Sequence, residues 1–262
     1  MKISAAIVGQ ASPLERVEID KRWIMAYNAA LGAVSATPHP LFPVCYEWNA
    51  TRALRVSTRL QELNARLVHA QHDVTLHRPP REEVLVTRSR VVAAEQRRPG
   101  TFVTIRLTAE SESGEPVSTS DYGMLYRGVE LDGAGRALER LEDPPRHASS
   151  LERVGEVPVA ATAAHVYTEC ARLWNPINTD PEYARQAGLR GIILHGTATL
   201  ALSVSKLQSK ARRVRCRFAG MVLMPGTLTV YASRVSSSGD DALAFETRNE
   251  RGEAVIERGW IS

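Results

Sequence analysis

The chain of 262 residues is 44% hydrophobic and 24% charged, and its 33 Lys and Arg against 29 Asp and Glu give a formal net charge of +4. These proportions are typical of a globular protein and exclude a chain that is disordered throughout. No run approaches 18 consecutive apolar residues, and the first residues lack the apolar core of a signal peptide. We therefore expect a cytoplasmic protein with no membrane partner.

The cysteines, Cys45, Cys170 and Cys216, are far apart and show neither CxxC nor Cys/His ligand spacing. We expect reduced thiols and no metal site. Acidic residues are interspersed with the arginines along most of the chain, so nucleic acid is not an expected partner. The exception is the run 206–217, KLQSKARRVRCR, which contains no acid. This run is either a solvated face or an anion-binding site.

The first predicted helix covers residues 20–32, DKRWIMAYNAALG. Asp20 is a suitable N-cap, and Gly32 is a typical C-terminal stop. The helical period predicts an apolar side formed by Trp23, Met25, Ala26, Ala29 and Ala30.

Three histidines follow on a predicted strand. His69 and His77 have the same parity along this strand and His72 has the opposite parity, so the three rings would not converge. The sequence shows no clear partner residue that would supply a third convergent ligand. Structural or exposed histidines are therefore favoured over a metal site.

The strand-like segments form two blocks, at 82–115 and 227–262. Each block has a strand, a loop, a second strand and a hairpin turn. The string SRV recurs with an offset of 144 residues, and GEPV recurs as GEAV with an offset of 138. The shared order and the shared strings together predict an internal duplication.

A segment rich in proline, glycine and charge lies between the two blocks, at 128–156. It has no sustained apolar period, which is typical of a linker. The predicted organisation is an N-terminal repeat at 1–130, a linker at 131–156 and a C-terminal repeat at 157–262.

Helix signals are clear in the second half. Asp180 and Pro181 form an N-cap and first-turn pair for a short helix that ends at Gly188. The segment that begins at His195, HGTATLALSVSKLQSK, is long and apolar enough to be a helix wrapped by a sheet.

The stretch from Tyr167 to Ser205 contains the most informative motif. Its members are Asn175-Pro176-Ile177, Asp180-Pro181, Ala184, Gly188 and Ile193-Leu194-His195-Gly196. In type and spacing they resemble the hydratase motif of the MaoC-like, R-specific enoyl-CoA hydratase family. The resemblance implies an α+β double hot-dog fold, in which each repeat is an antiparallel sheet wrapped around a long central helix. A motif in the second half alone resembles the fused members, whose degenerate N-terminal repeat helps to hold the acyl chain and coenzyme A.

The sequence departs from this family at two positions. The family's catalytic Asp and His, five residues apart, align with Leu173 and Asn178. Leucine cannot exchange a proton, and an amide cannot act as a general base near neutral pH. Because each acid or base group contributes about 10² to 10⁴ in rate, a hydratase without both groups would be very slow unless others substitute.

An electrostatic site survives these losses. The resemblance places the backbone N–H of Gly196 against the thioester carbonyl, where the amide and the helix dipole would stabilise enolate charge. The candidates for the missing catalytic groups are Glu169, Tyr167 and His195. Glu169 lies four residues before Leu173, so in a helix the two would share a face.

Substrate contacts are predicted around the same motif. Asn178 is expected to face the substrate, Leu173 to line a drier water site, and Asn175 to fix the substrate-binding turn. Arg215 and Arg217, in the cation run, are candidates for binding the phosphates of the thioester carrier.

Three functions remain open. The first is hydration or dehydration of an acyl thioester of coenzyme A or an acyl carrier protein, with a rearranged acid/base set and no cofactor. The second is a cyclase or isomerase that uses the same enolate site. The third is a non-catalytic acyl-binding partner subunit. A homodimer is one assembly that such a fold allows.

Overall fold

The computed structural model describes residues 1–147, 150–209, 211–237 and 240–262. These residues form two compact units. Unit 1 comprises Met1–Ile19 and Tyr46–Asp143, and unit 2 comprises Asp20–Cys45 and Pro144–Ser262.

The predicted organisation at 1–130, 131–156 and 157–262 stays a prediction. Within it, Asp20–Cys45 falls in the N-terminal repeat, whereas the structure places this segment in unit 2. Parts of two predicted segments lie outside the described residues: Ala148 and Ser149 of the linker, and Lys210 of the cation run. The same holds for residues 238–239, in the loop of the second strand block.

Strands make up most of the regular structure. In chain order they are β1 (Lys2–Ser4), β2 (Glu15–Ile19), β3 (Leu67–Leu76), β4 (Glu83–Arg97), β5 (Gly100–Ser111), β6 (Pro116–Arg127), β7 (Glu130–Asp132), β8 (Arg136–Ala137), β9 (Glu152–Val159), β10 (Arg213–Phe218), β11 (Gly226–Ser237), β12 (Asp240–Arg248) and β13 (Ala254–Ile261). The α-helices are α1 (Lys21–Ala30), α2 (Pro43–Ser57), α3 (Ala163–Ala171), α4 (Pro176–Thr179), α5 (Pro181–Gln186) and α6 (Gly196–Leu207). Short 3-10 helices lie at Ala5–Ile7 and Leu60–Arg66.

Unit 1 is built on an antiparallel sheet with the strand order β2-β4-β5-β6-β3. Helix α2, whose residues from Tyr46 onward belong to this unit, packs against one face of the sheet. Leu54 of α2 shares a buried apolar cluster with Val91 of β4 and Ile105 of β5. The hydroxyl of Ser89 also donates a hydrogen bond to the carbonyl of Ala50, at 2.7 Å. The apolar face of the sheet and the helix thus form one core.

The strands of unit 2 are also antiparallel, with the order β10-β13-β12-β11-β9. Its long helix, α6, is buried along most of its length and contacts β9 and β11. Ser203 of α6 and Thr247 of β12 are joined by a hydroxyl–hydroxyl hydrogen bond of 2.8 Å. Helix α1 packs against α3, and the indole of Trp23 donates to the carbonyl of Cys170 at 3.0 Å.

The two units repeat the same topology. The order β2-β4-β5-β6-β3 corresponds strand for strand to β9-β11-β12-β13-β10, and each sheet has its own long helix. The recurring string SRV lies on β4 and on β11, and the strings GEPV and GEAV lead into β6 and β13. The predicted duplication and the predicted α+β double hot-dog fold are therefore confirmed.

The apolar side predicted for the first helix was wrong in detail. Asp20 caps α1, because its carboxylate accepts a hydrogen bond from the Trp23 amide at 2.7 Å. The buried residues of α1 are Trp23, Ile24, Tyr27 and Asn28, whereas Met25 is 60% exposed. The buried side thus follows the spacing i, i+1, i+4 and i+5, and it includes a polar amide that the apolar pattern could not identify.

Two segments predicted as irregular are partly regular. β4 continues to Arg97, so the loop predicted between the two strands of the first block shortens to a tight hairpin. Within the predicted linker, β8 pairs with β4, and β9 begins at Glu152. Edge pairing supplies hydrogen bonds that the local sequence does not reveal.

In each unit, a glycine on one strand lies under the phenylalanine ring of a neighbouring strand. A Cβ at Gly123 of β6 would overlap the ring of Phe102, and a Cβ at Gly259 of β13 would overlap the ring of Phe245. These glycines provide the space that lets the aromatic rings lie flat across the sheet.

Candidate functional site

The motif predicted from Asn175 to Gly196 forms two short helices that lead to the start of α6. Asn175 is the exposed N-cap of α4, and its side chain accepts a hydrogen bond from the Ile177 amide at 3.4 Å. The Asp180 carboxylate caps α5 by accepting bonds from the Glu182 and Tyr183 amides at 2.8 and 3.1 Å. The predicted role of Asp180 as a helix cap is therefore confirmed.

Gly196 is the first residue of α6 and is exposed, whereas the residues that follow it are buried. The N–H groups of the first turn of a helix have no partner within the helix, and the helix dipole adds partial positive charge there. The Phe218 ring lies 3.3 Å from the place where a Cβ of residue 196 would stand. The lack of a side chain at Gly196 thus leaves its backbone N–H accessible next to the Phe218 ring.

The two positions that the resemblance aligns with the family's catalytic pair are both buried. Leu173 follows α3, and its amide donates to the Thr168 carbonyl at 3.0 Å. Asn178 was predicted to face a substrate, but its side-chain Nδ2 donates to the Ile193 carbonyl at 2.8 Å. In this geometry the amide of Asn178 holds the strand-like segment that precedes α6.

Hydroxyl groups converge on the start of α6. The Tyr167 hydroxyl donates to Thr197 Oγ1 at 3.1 Å and lies 3.4 Å from the hydroxyl of Tyr27. The Thr168 hydroxyl lies 3.3 Å from Nε2 of His195. The structure thus brings Tyr167 and His195 together, with ring centroids 5.1 Å apart. Tyr27 was missed by sequence reasoning because it lies 140 residues away from Tyr167 in the chain.

Burial fixes the protonation states of this cluster. Burial lowers the pKa of His195 to about 4, and the backbone of Leu173 opposes this shift. Burial also raises the pKa of Tyr167 well above its ordinary value, although hydrogen bonds to Thr197 and Tyr27 oppose that shift. At neutral pH the site therefore presents a neutral imidazole and a protonated phenol.

Three predicted residues lie apart from this cluster. Glu169 is on α3, but its side chain is exposed. Arg215 and Arg217 are half-buried on β10, opposite Trp260 and Glu257 of β13. Among the described residues, no hydrogen bond or ion pair links Glu169, Arg215 or Arg217 to Tyr167 or His195.

A second polar cluster, in unit 1, has no signal in the sequence pattern. Glu47 of α2 is fully buried and accepts hydrogen bonds from Ser120 at 2.6 Å and from Tyr122 at 2.7 Å. Burial raises the pKa of Glu47 to about 7, although these hydrogen bonds lower it. The rings of His69 and His72 flank Tyr122, at centroid distances of 4.8 and 4.9 Å.

The predicted opposite parity of His69 and His72 was wrong. Their ring centroids lie 5.4 Å apart because the pairing of β3 with β6 shifts register between His69 and Gln71. Such a bulge adds one residue and returns the next side chains to the same face. Burial lowers the pKa of both histidines to about 3. Within the described residues, no group of three or more His, Cys, Asp or Glu is placed to hold a metal ion.

Comparisons with known proteins support the double hot-dog fold. Residues 144–254 match the family model of the MaoC like domain. The chain is 21% identical to the probable enoyl-CoA hydratase 2 of Dictyostelium discoideum over an alignment of 206 residues that covers 74% of this chain and 68% of that protein. Its fold matches a MaoC-like dehydratase from Phytophthora capsici with a TM-score of 0.85 at 17% identity, covering 98% of this chain and 96% of that one.

A conserved hypothetical protein of Mycobacterium tuberculosis, described as a double hot-dog, matches with a TM-score of 0.64 at 12% identity over 97% of this chain and 94% of that one. The repeated sheets, together with the site at the start of α6, define a double hot-dog protein. The match of residues 144–254 to the MaoC like domain model confirms the resemblance predicted from the motif. In the described part of the chain, no helix is long and apolar enough to cross a membrane.

Proposed function

We propose that unit 2 binds an acyl thioester of coenzyme A or an acyl carrier protein at the start of α6 and catalyses a reaction of the hydratase or dehydratase type. The observation that carries this proposal is the exposed Gly196 at the first position of a buried helix. Its N–H can donate to the thioester oxygen, and the dipole of α6 favours the negative charge that develops there. The MaoC-like domain at 144–254 supports the same assignment.

The acid/base groups in this proposal are Tyr167 and His195. At neutral pH the imidazole is unprotonated and can take a proton, and the phenol is protonated and can donate one. Burial makes the imidazole a weaker base and the phenol a weaker acid, so a bound substrate must stabilise the charge that the transfer creates. The hydroxyls of Thr168 and Thr197 orient the two rings at 3.3 and 3.1 Å. Glu169 is the less favoured candidate because its side chain is exposed.

A second candidate function, cyclisation or isomerisation through the same enolate, is favoured by one observation. Leu173 is buried at the position where the family has its Asp, so this part of the site offers an apolar surface instead of a carboxylate that would hold water. A drier site favours intramolecular chemistry over attack by water. A purely acyl-binding role needs only the Gly196 donor.

The test is turnover of crotonyl-CoA and 3-hydroxybutyryl-CoA by the wild type and two Gly196 variants. Gly196→Pro removes the N–H but suits the first helical position, and the extended backbone of His195 (ψ 138°) tolerates a following proline. Gly196→Ala keeps the N–H and adds only the Cβ beside Phe218. We expect Gly196→Pro to lose about 10² to 10³ in kcat relative to Gly196→Ala. Equal rates in the two variants would contradict the proposal.

The same assay separates the candidate reactions. His195→Gln and Tyr167→Phe should each lower kcat, whereas Glu169→Gln should behave as wild type. Incorporation of solvent oxygen into the product identifies hydration. A thioester that binds in a Gly196-dependent manner without conversion would redirect the assignment to cyclisation, isomerisation or acyl binding.

A further inference from the structure

A cleft of about 400 Å³ in unit 1 lies on the face of the sheet opposite α2. β4 alternates along its middle: Ser89 and Val91 are buried toward the helix, and Arg88 and Arg90 are exposed on the other face. The floor of the cleft is therefore formed by the charged face of the sheet.

The strand register brings three arginines together on this floor. Arg90 of β4 lies directly opposite Arg106 of β5, and Arg88 lies opposite Thr108. Side chains directly opposite in an antiparallel pair have Cβ atoms about 5 Å apart, and like charges in such positions repel each other. The strand register thus places positive charges side by side, an arrangement that by itself destabilises the folded sheet.

Only one of these arginines is neutralised by the described residues. Arg106 binds both carboxylate oxygens of Asp121, at 2.8 and 2.7 Å, and also pairs with Glu139. In the described part of the chain, the side chains of Arg88 and Arg90 have no ion pair and no hydrogen bond. Two guanidinium groups beside the Thr108 hydroxyl are therefore available to a ligand.

Two segments that line the cleft are fixed by backbone hydrogen bonds to the edge of β4 that does not pair with β5. The Gly9 amide donates to the Val91 carbonyl and the Ser12 amide donates to the Ser89 carbonyl, each at 2.8 Å. Further along the same edge, the Leu138 amide donates to the Val92 carbonyl at 2.8 Å. The cleft is thus preformed, which lowers the entropic cost of binding.

We propose that this cleft binds the phosphate group of a small phosphate ester. Guanidinium groups match phosphate oxygens with paired, charge-assisted hydrogen bonds, and the Thr108 hydroxyl can donate a further one. A volume of about 400 Å³ falls in the range of sites for small organic ligands and leaves room for an organic portion beside the phosphate. This site is separate from the proposed chemistry at Gly196.

The experiment is titration calorimetry of the full chain with adenosine 3′,5′-bisphosphate, inorganic phosphate and adenosine. The double variant Arg88→Ala/Arg90→Ala should weaken binding of the bisphosphate at least tenfold. The double variant Arg88→Lys/Arg90→Lys keeps the positive charges but lacks the paired N–H donors of the guanidinium group. Its affinity for the bisphosphate should therefore lie between those of the wild type and the double alanine variant. Arg52→Ala, which removes an exposed arginine from α2, is the matched control and should bind as wild type.

Binding by the wild type should weaken as salt is raised, because exposed ion pairs are screened. Unchanged affinity in Arg88→Ala/Arg90→Ala, or equal binding of adenosine, would overturn the proposal. Binding of inorganic phosphate alone would also overturn it, because the organic portion would then have no role. Thioester turnover by the same variants, unchanged from wild type, distinguishes this site from the one at Gly196.

Discussion

The side chain of Asn178 donates a hydrogen bond from Nδ2 to the carbonyl oxygen of Ile193 at 2.8 Å. This bond ties α4 to the segment that leads into α6. The residue that stands in place of the family's catalytic His therefore positions the start of the helix, and the donor atom of its amide is already engaged.

Replacement of Asn178 by alanine should destabilise the protein by about 1 to 3 kcal/mol, because the partly buried carbonyl of Ile193 loses its donor. Urea unfolding of Asn178→Ala against wild type measures the effect. Gln186→Ala removes an exposed amide of α5 and should cost less than about 0.5 kcal/mol. Equal stabilities of the two variants would show that the Asn178 bond contributes nothing to folding.

Glu47 should make stability fall as pH rises. Its pKa is raised to about 7 in the folded state, whereas the unfolded value is near 4.5. Between these two values the unfolded chain releases a proton that the folded chain keeps, so stability decreases as pH rises from 4.5 to 7 and is level above that. The loss is about 3 kcal/mol in total.

Glu47→Gln removes this titration and keeps one side-chain oxygen, which can still accept a hydrogen bond from Ser120 or Tyr122. The difference in unfolding free energy between wild type and Glu47→Gln should therefore shrink, or change sign, from pH 5 to pH 8. Urea unfolding at several pH values measures it. Parallel pH profiles for the two proteins would contradict the assignment of a protonated Glu47.

His72 should have the opposite pH dependence. It is fully buried, and neither ring nitrogen has a hydrogen-bond partner among the described residues. Its pKa is lowered to about 3, so the unfolded chain binds a proton below pH 6.5 that the folded chain does not. Stability due to this group is lost as pH falls from 6.5 toward 3.

His72→Leu should therefore stabilise the protein more at pH 5 than at pH 7.5, by about 2 kcal/mol. Thermal or urea unfolding at the two pH values tests this difference. A stabilisation that is the same at both values would mean that His72 does not stay neutral in the folded state.

Gly123 should not tolerate a side chain. Gly123→Ala places a Cβ against the ring of Phe102, and such overpacking costs about 1 to 3 kcal/mol. Gly191→Ala is the control, because a Cβ there meets nothing within 4 Å and should change stability little. Thermal unfolding of both variants measures the costs, and equal melting temperatures would refute the packing argument.

The strand blocks, the cap at Asp180 and the start of α6 could be predicted because each depends on local signals. The repeat followed from comparison of the two halves, and the double hot-dog fold followed from the resemblance of the motif. Strand periodicity, the cap at Asp180 and the motif that ends at Gly196 are all readable within short windows. The resemblance predicted that Leu173 and Asn178 stand where the family has its catalytic Asp and His. It could not show where the amide of Asn178 points, since its partner lies 15 residues further along the chain.

Long-range contacts explain what could not be predicted. Tyr27 joins Tyr167 only because α1 packs against α3 within unit 2. His69 and His72 meet because a bulge changes the parity of β3. Glu47 lies in a helix that is apolar on most of its buried side, and its buried partners come from β6, more than 70 residues away.

In the proposed function, the Gly196 amide polarises a thioester carbonyl. Isotope-edited infrared spectroscopy of a ¹³C-labelled thioester bound to the protein tests this directly, without requiring turnover. We predict a carbonyl band shifted to lower frequency in wild type and Gly196→Ala, and a band near its position in water-free solvent in Gly196→Pro. The same shifted band in all three proteins would contradict this role of Gly196.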